Sequence, residues 1–575
     1  MSFSLRVLTA AVALFSANSS FTADAQPSGA HPSVAHPAAD LIVRNARIWT
    51  VNPQQPQADA LAVLDGRFVA VGTEAQVSQW QGPRTRIVDA KGNRLVPGFN
   101  DAHVHFSEGG AQLSSVQLTD ATSLKEFVQR VADYASHAAK GEWIRNGNWD
   151  ESKWSPAKLP TRQDIDTVTR DNPAVLSRYD GHAVLANSKA LAAAGITSKT
   201  PDPPGGVIVR DASGEPTGVL KDAAEALLES AVPPLDFAQR RRFIERAMLE
   251  AASRGVTSVQ HMSMDYGDLA VYSRLLEDNK LTVRIYGAPS ITRVEDQARL
   301  GIGRAFGGPS LRIGALKMLS DGSLGSRTAY FIEPYADDAQ NHGLLFSDML
   351  PLVKAGERLM RADAANLQVC THAIGDAAVK TVLDLYQAVE TKDGPRDRRW
   401  RIEHAQHLST ADFDRFAKLH VIASVQPYHA IDDGRWAESR IGHERATRMH
   451  AYRTFLDHGV RLAFGTDFPV APIDPMLTLY AAVTRATLDG KNSDGWFPGQ
   501  KLSIEESIAI YTLGSAYAEF QENEKGSIEP GKLADMVLLS RDVLKIAPAA
   551  IRDTHVLKTW LGGLEIYDAE TRRNN

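Results

Sequence analysis

His103 and His105 stand two apart at the end of the extended run "LVPGFNDAHVH". In an extended strand, side chains two apart face the same side, so the two imidazoles can chelate one metal ion. With 17 histidines in 575 residues, chance supplies about half of one such pair per chain. The weight therefore comes from where the pair sits. Lys317 lies in the apolar run "LRIGALKML", where a lysine is out of place unless its ammonium is paired or chemically altered. Carbamylation by carbon dioxide would turn it into a carboxylate able to bridge two divalent ions. The alternative is a lysine whose stem is buried and whose head reaches solvent. His372 closes "LQVCTHAIGD", His404 closes "RWRIEHAQH" and Asp467 ends "VRLAFGTDF". A carboxylate in that place can bind a metal and take a proton from metal-bound water. Each residue alone is more often structural, but one candidate ligand per successive run predicts a divalent metal centre, with zinc as the expected ion. Whether it holds one ion or two turns on Lys317, because an unmodified ammonium disfavours a second cation nearby.

These residues need strands that end on one side. Eight β-rich runs alternate with helical stretches: "LVPGFNDAHVH", "GVTSVQHM", "LTVRIYGAP", "LRIGALKML", "NLQVCTHAI", "RWRIEHAQH", "VIASVQPYH" and "VRLAFGTDF". That rhythm predicts an α/β fold, a TIM-like (β/α)8 barrel spanning residues 96–524. About 140 residues separate the first two runs, far more than an ordinary connection. A large insertion after the first strand, residues 108–234, accounts for it. The insertion carries Trp143, Trp149, Trp154, Tyr179 and His182, and ordinary core packing is the expected use of its tryptophans. Short alternating segments flank the barrel at both ends, with turn signals at Asp65-Gly66, Lys91-Gly92-Asn93, Gly531 and Gly562-Gly563. They predict a small β-sandwich domain formed by both chain ends, residues 40–95 and 525–575; two unrelated hairpins are the alternative.

Composition narrows the function classes. With 43% apolar and 23% charged residues the chain is of ordinary globular type, and its formal charge of -6 gives no basic surface for nucleic acid. A small-molecule substrate is expected, and a homo-oligomer stays open. Arg6, the apolar run from Val7 to Phe15 and the small residues Ala23 and Ala25 predict a signal peptide over residues 1–25 and a periplasmic or secreted protein with no membrane attachment after its removal. Residues 26–39 read as a linker. The single cysteine, Cys370, excludes an internal disulfide.

The order H-x-H, lysine, histidine, histidine, aspartate on successive strands resembles the amidohydrolase superfamily. More narrowly, "VPGFNDAHVH", "LKMLSDGSLGSRTA", "THAIGD", "IEHAQ" and "FGTDFPV" resemble amidohydrolase family 3, the subgroup that includes N-substituted formamide deformylases. The resemblance runs from about Asp40 to Tyr567. It implies that His103 and His105 bind the first metal, that Lys317 is a carbamylated bridge, that His372 and His404 bind the second metal, and that Asp467 is ligand and general base. It also implies hydrolysis of an amide or formamide C–N bond other than a peptide bond, by a hydroxide held between the ions. An ester, carbamate or cyclic-amide hydrolase on the same site is the close alternative, and a non-catalytic binding or regulatory protein on a decayed barrel is the distant one. "GHAVLANSKAL" resembles the subgroup's insertion, which makes His182 a candidate substrate contact. Arg327 could hold an anionic substrate group, with a structural ion pair as the alternative. The sequence departs from the subgroup at His261, where an aspartate is expected.

Overall fold

The computed structural model describes residues 37–178, 183–203 and 205–572. The expected signal peptide, most of the linker, Tyr179 and His182 lie outside the described residues. Among the described residues no helix is long and apolar enough to cross a membrane.

The fold is α/β, with parallel and antiparallel sheets. Each of the eight runs contains a strand. Phe99–Val104, Val256–Met262, Arg284–Ala288 and Leu311–Ile313 pair in parallel in that order. Ala315–Leu319, Gln368–Ala373, Arg401–His404, Ile422–Val425 and Leu462–Phe464 do the same in a second sheet. Gly314, at φ 111°, divides the fourth run; a Cβ there would lie 2.0 Å from the Gly303 carbonyl oxygen, so only glycine fits. Parallel bridges between Ser290 and Lys317 and between Val104 and Phe468 join the two sheets at both edges, so the order of pairing returns to its start.

Parallel neighbours need crossovers, and helices supply them. In Phe237–Ser253 the buried residues Ile244, Ala247, Met248 and Ala251 recur at helical spacing, and Asp236 and Gln239 close a capping box at its start. Strand Val256–Met262, covered on both faces, is buried throughout.

The two chain ends meet in one sheet. Arg94–Pro97 lies between Arg47–Trp49 and Met536–Leu539, with Val96 opposite Val537. This strand runs to Pro97, two residues past the boundary expected from the sequence, and the first strand of the parallel set starts at Phe99. Period-2 alternation covers both faces of the neighbouring sheet: Leu41 and Val43 pack with Met536 and Trp560, while Ile42 packs with Val77. A buried ion pair joins the ends to the parallel strands. Arg284 donates to both oxygens of Asp535 at 2.6 and 2.7 Å, and the Gly562 amide donates to the same carboxylate at 2.8 Å.

The insertion forms its own five-stranded sheet, from Ile144–Trp149 to Gly206–Arg210. Trp149 and Trp154 are core residues there, packed with Phe127, Ile165 and Leu176. Their indole N–H groups donate to the carbonyls of Leu176 and Ala121 at 2.9 and 3.0 Å, which satisfies the one polar atom each ring buries.

Removing one partner of the Arg284–Asp535 pair strands a buried charge. Asp535→Asn is expected to cost about 3–5 kcal/mol, read from the urea midpoint. A loss under about 1 kcal/mol, the range of an exposed pair, would show that the pair does not bind the ends to the parallel strands.

Candidate metal centre

Each of the six sequence-selected residues lies at or just beyond its strand. His103 is the fifth residue of Phe99–Val104, and His105 caps the following helix, Phe106–Leu113. Lys317 and His372 lie within their strands, His404 ends its strand, and Asp467 follows Leu462–Phe464 by three residues. His103, Lys317, His404 and Asp467 are buried; His105 and His372 are partly buried.

The structure brings these side chains together. The Nε2 of His103 is 3.3 Å from Lys317 Nζ and 3.4 Å from Asp467 Oδ1, and His105 Nε2 is also 3.4 Å from Asp467 Oδ1. The His404 ring centre is 4.9 Å from that of His103 and 4.5 Å from that of His372. Among the described residues, His103, His404 and Asp467 offer three ligand atoms within 4.8 Å of one another. His372 is turned partly away, with Nε2 3.2 Å from the Gly322 carbonyl and 3.6 Å from Asp321 Oδ1.

The backbone holds this arrangement against its own preference. His404, Ala405 and Asp467 sit at φ 68°, 42° and 61°, a region that costs a non-glycine residue about 1–3 kcal/mol. At Asp467 the closing seam compensates: its N–H donates to the His103 carbonyl, and the His105 N–H donates to the Phe468 carbonyl, both at 2.7 Å. Asp101, fully buried, ties the same two strands by accepting from the Thr466 N–H at 2.9 Å and the Thr466 hydroxyl at 2.7 Å. Burial pushes its carboxyl up to about 7 despite those bonds.

Residues that the sequence reasoning did not single out set the tautomers. Glu403 Oε2 is 2.8 Å from His103 Nδ1, and Arg401 Nε is 3.0 Å from Glu403 Oε1, with all three side chains fully buried. Burial works against the charge on Glu403, but Arg401 and His103 more than offset it and hold the carboxyl down near 2. A carboxylate only accepts, so His103 carries its proton on Nδ1 and turns its Nε2 lone pair toward Asp467 and Lys317. Gln426 does the same for His404: its Oε1 lies 2.8 Å from Nδ1 while its amide nitrogen faces the Ser424 carbonyl. Burial lowers His103 to about 4 and His372 to about 3, with the charge of Lys317 adding to both, and it drives His404 well below its usual value. Imidazoles that burial keeps neutral, beside the carboxylate of Asp467, form the donor set that divalent zinc favours. The residues present fit such an ion.

The arginine and glutamate of "RWRIEHAQH" were a readable signal: two charged residues at alternate positions of an apolar strand, the same anomaly that singled out Lys317. His429, whose ring lies parallel to His404 at 6.4 Å, had no such signal. Arg327 donates to Asp337 at 3.2 and 2.8 Å, so the structure places it in an ion pair rather than among these residues. His261 is buried, 3.0 Å from the Tyr272 hydroxyl and 3.4 Å from Glu108.

The sequence matches the model of the amidohydrolase family over residues 86–567. It is 37% identical to the protein LONG AFTER FAR-RED 3 of Arabidopsis thaliana, covering 92% of each chain. It is 30% identical to an N-substituted formamide deformylase of Arthrobacter pascens, covering 92% of this chain and 98% of that one. The structure resembles that of an uncharacterised metal-dependent hydrolase from Pyrococcus furiosus, with a TM-score of 0.74 and 30% identity, over 88% of this chain and all of the other.

If Glu403 sets the His103 tautomer, Glu403→Gln should weaken divalent-metal affinity about 10- to 100-fold while the chain stays folded. Competition with a chromophoric chelator measures this, and unchanged affinity would remove Glu403 from that role.

Proposed function

The chain belongs to the amidohydrolase family, and from that premise we propose that it hydrolyses an amide or formamide C–N bond of a small molecule at the centre formed by His103, His404 and Asp467. The observation that carries this reading is the convergence of those three ligand atoms within 4.8 Å, with the imidazoles oriented by Glu403 and Gln426. The closed order of parallel pairing is, on this reading, a (β/α)8 barrel with its functional face where the strands end. A divalent ion bound there, zinc on the donor chemistry, supplies Lewis acidity toward the substrate carbonyl and lowers the pKa of water.

Asp467 is the base. It is ionised, buried among the histidines and 3.4 Å from two of them, so it can take the proton of the attacking water and return it to the departing nitrogen. Lys317 sets the number of ions. Burial lowers its amine pKa, which favours the neutral form that adds to carbon dioxide, releasing a proton and leaving a carbamate anion. As a carbamate, Lys317 would let the site hold two ions, with His103, His105, His372 and His404 as the histidines that would bind them. As an ammonium 3.3 Å from His103 Nε2, it restricts the site to one.

The test is a hydrolysis screen of formamides, N-acyl amino acids, carbamates and esters on the metal-loaded enzyme, run beside Asp467→Asn. Formamide or amide turnover is expected, and the variant should lose about 10²–10⁴-fold in kcat. Full activity in the variant would remove Asp467 as the base. Less than one metal per chain, with or without bicarbonate in the growth medium, would overturn the metal centre itself.

A further inference from the structure

Barrels of parallel strands normally fill their interior with branched apolar side chains. Here a series of buried polar groups leads away from the metal centre instead: Glu403, Arg401, Gln260 and Asn100, all on the parallel strands. They are bonded one to the next. Glu403 meets His103 Nδ1, and Arg401 joins Glu403 to the side-chain oxygen of Gln260. The Gln260 Nε2 donates to the Ser515 carbonyl at 2.8 Å and reaches Asn100 Oδ1 at 3.5 Å. Asn100 donates to Glu519 at 2.6 Å, and Lys525 pairs with the same carboxylate at 2.8 Å. The series starts at a candidate metal ligand and ends in the segment that follows the last parallel strand.

Arg401 is held firmly at only two points. Its sulfur partners, Cys370 Sγ at 3.0 and 3.2 Å and Met262 Sδ at 3.8 Å, are weak acceptors. Among the described residues its side-chain oxygen partners are Glu403 and Gln260. A guanidinium is planar with fixed donor directions, so an acceptor on Nη1 fixes the edge that Nε presents to Glu403. The amide of Gln260 works in one sense alone. Turned over, it would set N–H against the guanidinium and oxygen against the Ser515 carbonyl.

A second glutamine separates this role from plain structural support. Gln260 satisfies the carbonyl of Ser515, and Gln368, equally buried, satisfies that of Ala518 at 2.7 Å. Those residues begin and end the short helix Ser515–Ala518, and a helix leaves its last four carbonyls to outside partners. Both glutamines therefore support the same segment. They differ at the other end of the amide: Gln368 Oε1 meets no hydrogen-bond partner among the described residues, whereas Gln260 Oε1 holds Arg401.

We propose that Gln260 is a positioning residue of the metal centre: through Arg401 and Glu403 it holds His103 in its Nδ1–H tautomer and keeps Nε2 free for a divalent ion. Its bearing on metal affinity rests on the metal-centre reading above; its hold on the His103 tautomer does not.

The test sets Gln260→Met beside Gln368→Met, which removes support of the helix alone, in the full chain. Competition with a chromophoric chelator should show zinc bound about tenfold more weakly by Gln260→Met than by the native protein and unchanged in Gln368→Met, although both variants lose stability. Added to Glu403→Gln, Gln260→Met should weaken zinc no further, because the carboxylate it acts through is already gone. Nitrogen-15 histidine spectra of the metal-free protein, with His103 identified by its loss in His103→Asn, should show Nδ1–H in the native protein and in Gln368→Met, and a shifted or mixed tautomer in Gln260→Met. Where Gln260→Met does not fold, Gln260→Asn, one methylene short of Arg401, takes its place. Equal zinc affinity in the two glutamine variants, an additive loss on Glu403→Gln, or an unchanged His103 signal overturns the proposal. Native protein that binds no zinc removes the metal-centre reading and leaves the His103 signal to decide.

Discussion

The seam between the first and last parallel strands is the constraint on which the site depends. At that seam the Asp467 N–H meets the His103 carbonyl, the His105 N–H meets the Phe468 carbonyl, and Asp101 binds Thr466 through both its amide and its hydroxyl. The residues that close the pairing order are therefore those that carry the H-x-H pair and the aspartate. A shift at the seam would move three candidate ligands at once. The left-handed backbone of Asp467 is tolerable only because these bonds are made together; alone, it would relax toward an ordinary strand.

A second layer of order comes from buried charge. Arg401, Glu403 and His103 form a chain with no exposure to solvent, and Arg401 also donates to Cys370 Sγ at 3.0 and 3.2 Å and to Gln260. Taking three ionisable side chains out of water is costly. What it achieves is a fixed tautomer, with the Nε2 lone pair of His103 pointing where a cation would sit. His404 is oriented by a neutral amide instead, so the two imidazoles face the same space with different basicity. The lone cysteine belongs to this network as an acceptor for arginine; burial pushes its thiol up to about 11, which leaves it no nucleophilic role.

Much of the architecture was legible because it is written in periodicity. Eight apolar runs bounded by turn residues each contain a strand, and the long gap after the first holds a separate sheet. The alternating segments at the two ends pair through Arg94–Pro97 and Met536–Leu539. What the sequence could not reveal lies in pairs far apart along the chain. Glu403 and His103 are 300 residues apart and Asp101 and Thr466 are 365 apart, and no local pattern reports such a contact. Arg327 illustrates the converse: its position just after Lys317 left a substrate contact and a structural ion pair equally open, and the partner that makes the pair, Asp337, which accepts from Nε and Nη2 along one edge of the guanidinium, is reported by no local pattern. The bend at Asn146-Gly147-Asn148 lies inside the insertion, where no strand was predicted, and its positive φ values appear only in the backbone.

The central claim is that His103, His404 and Asp467 hold a divalent ion. Diffraction from crystals of the zinc-loaded protein, recorded on both sides of the zinc absorption edge, tests it directly. The account requires an anomalous peak within coordination distance of His103 Nε2, His404 Nε2 and an Asp467 oxygen. A peak away from these three residues, or no peak in crystals whose protein retains zinc, would contradict it.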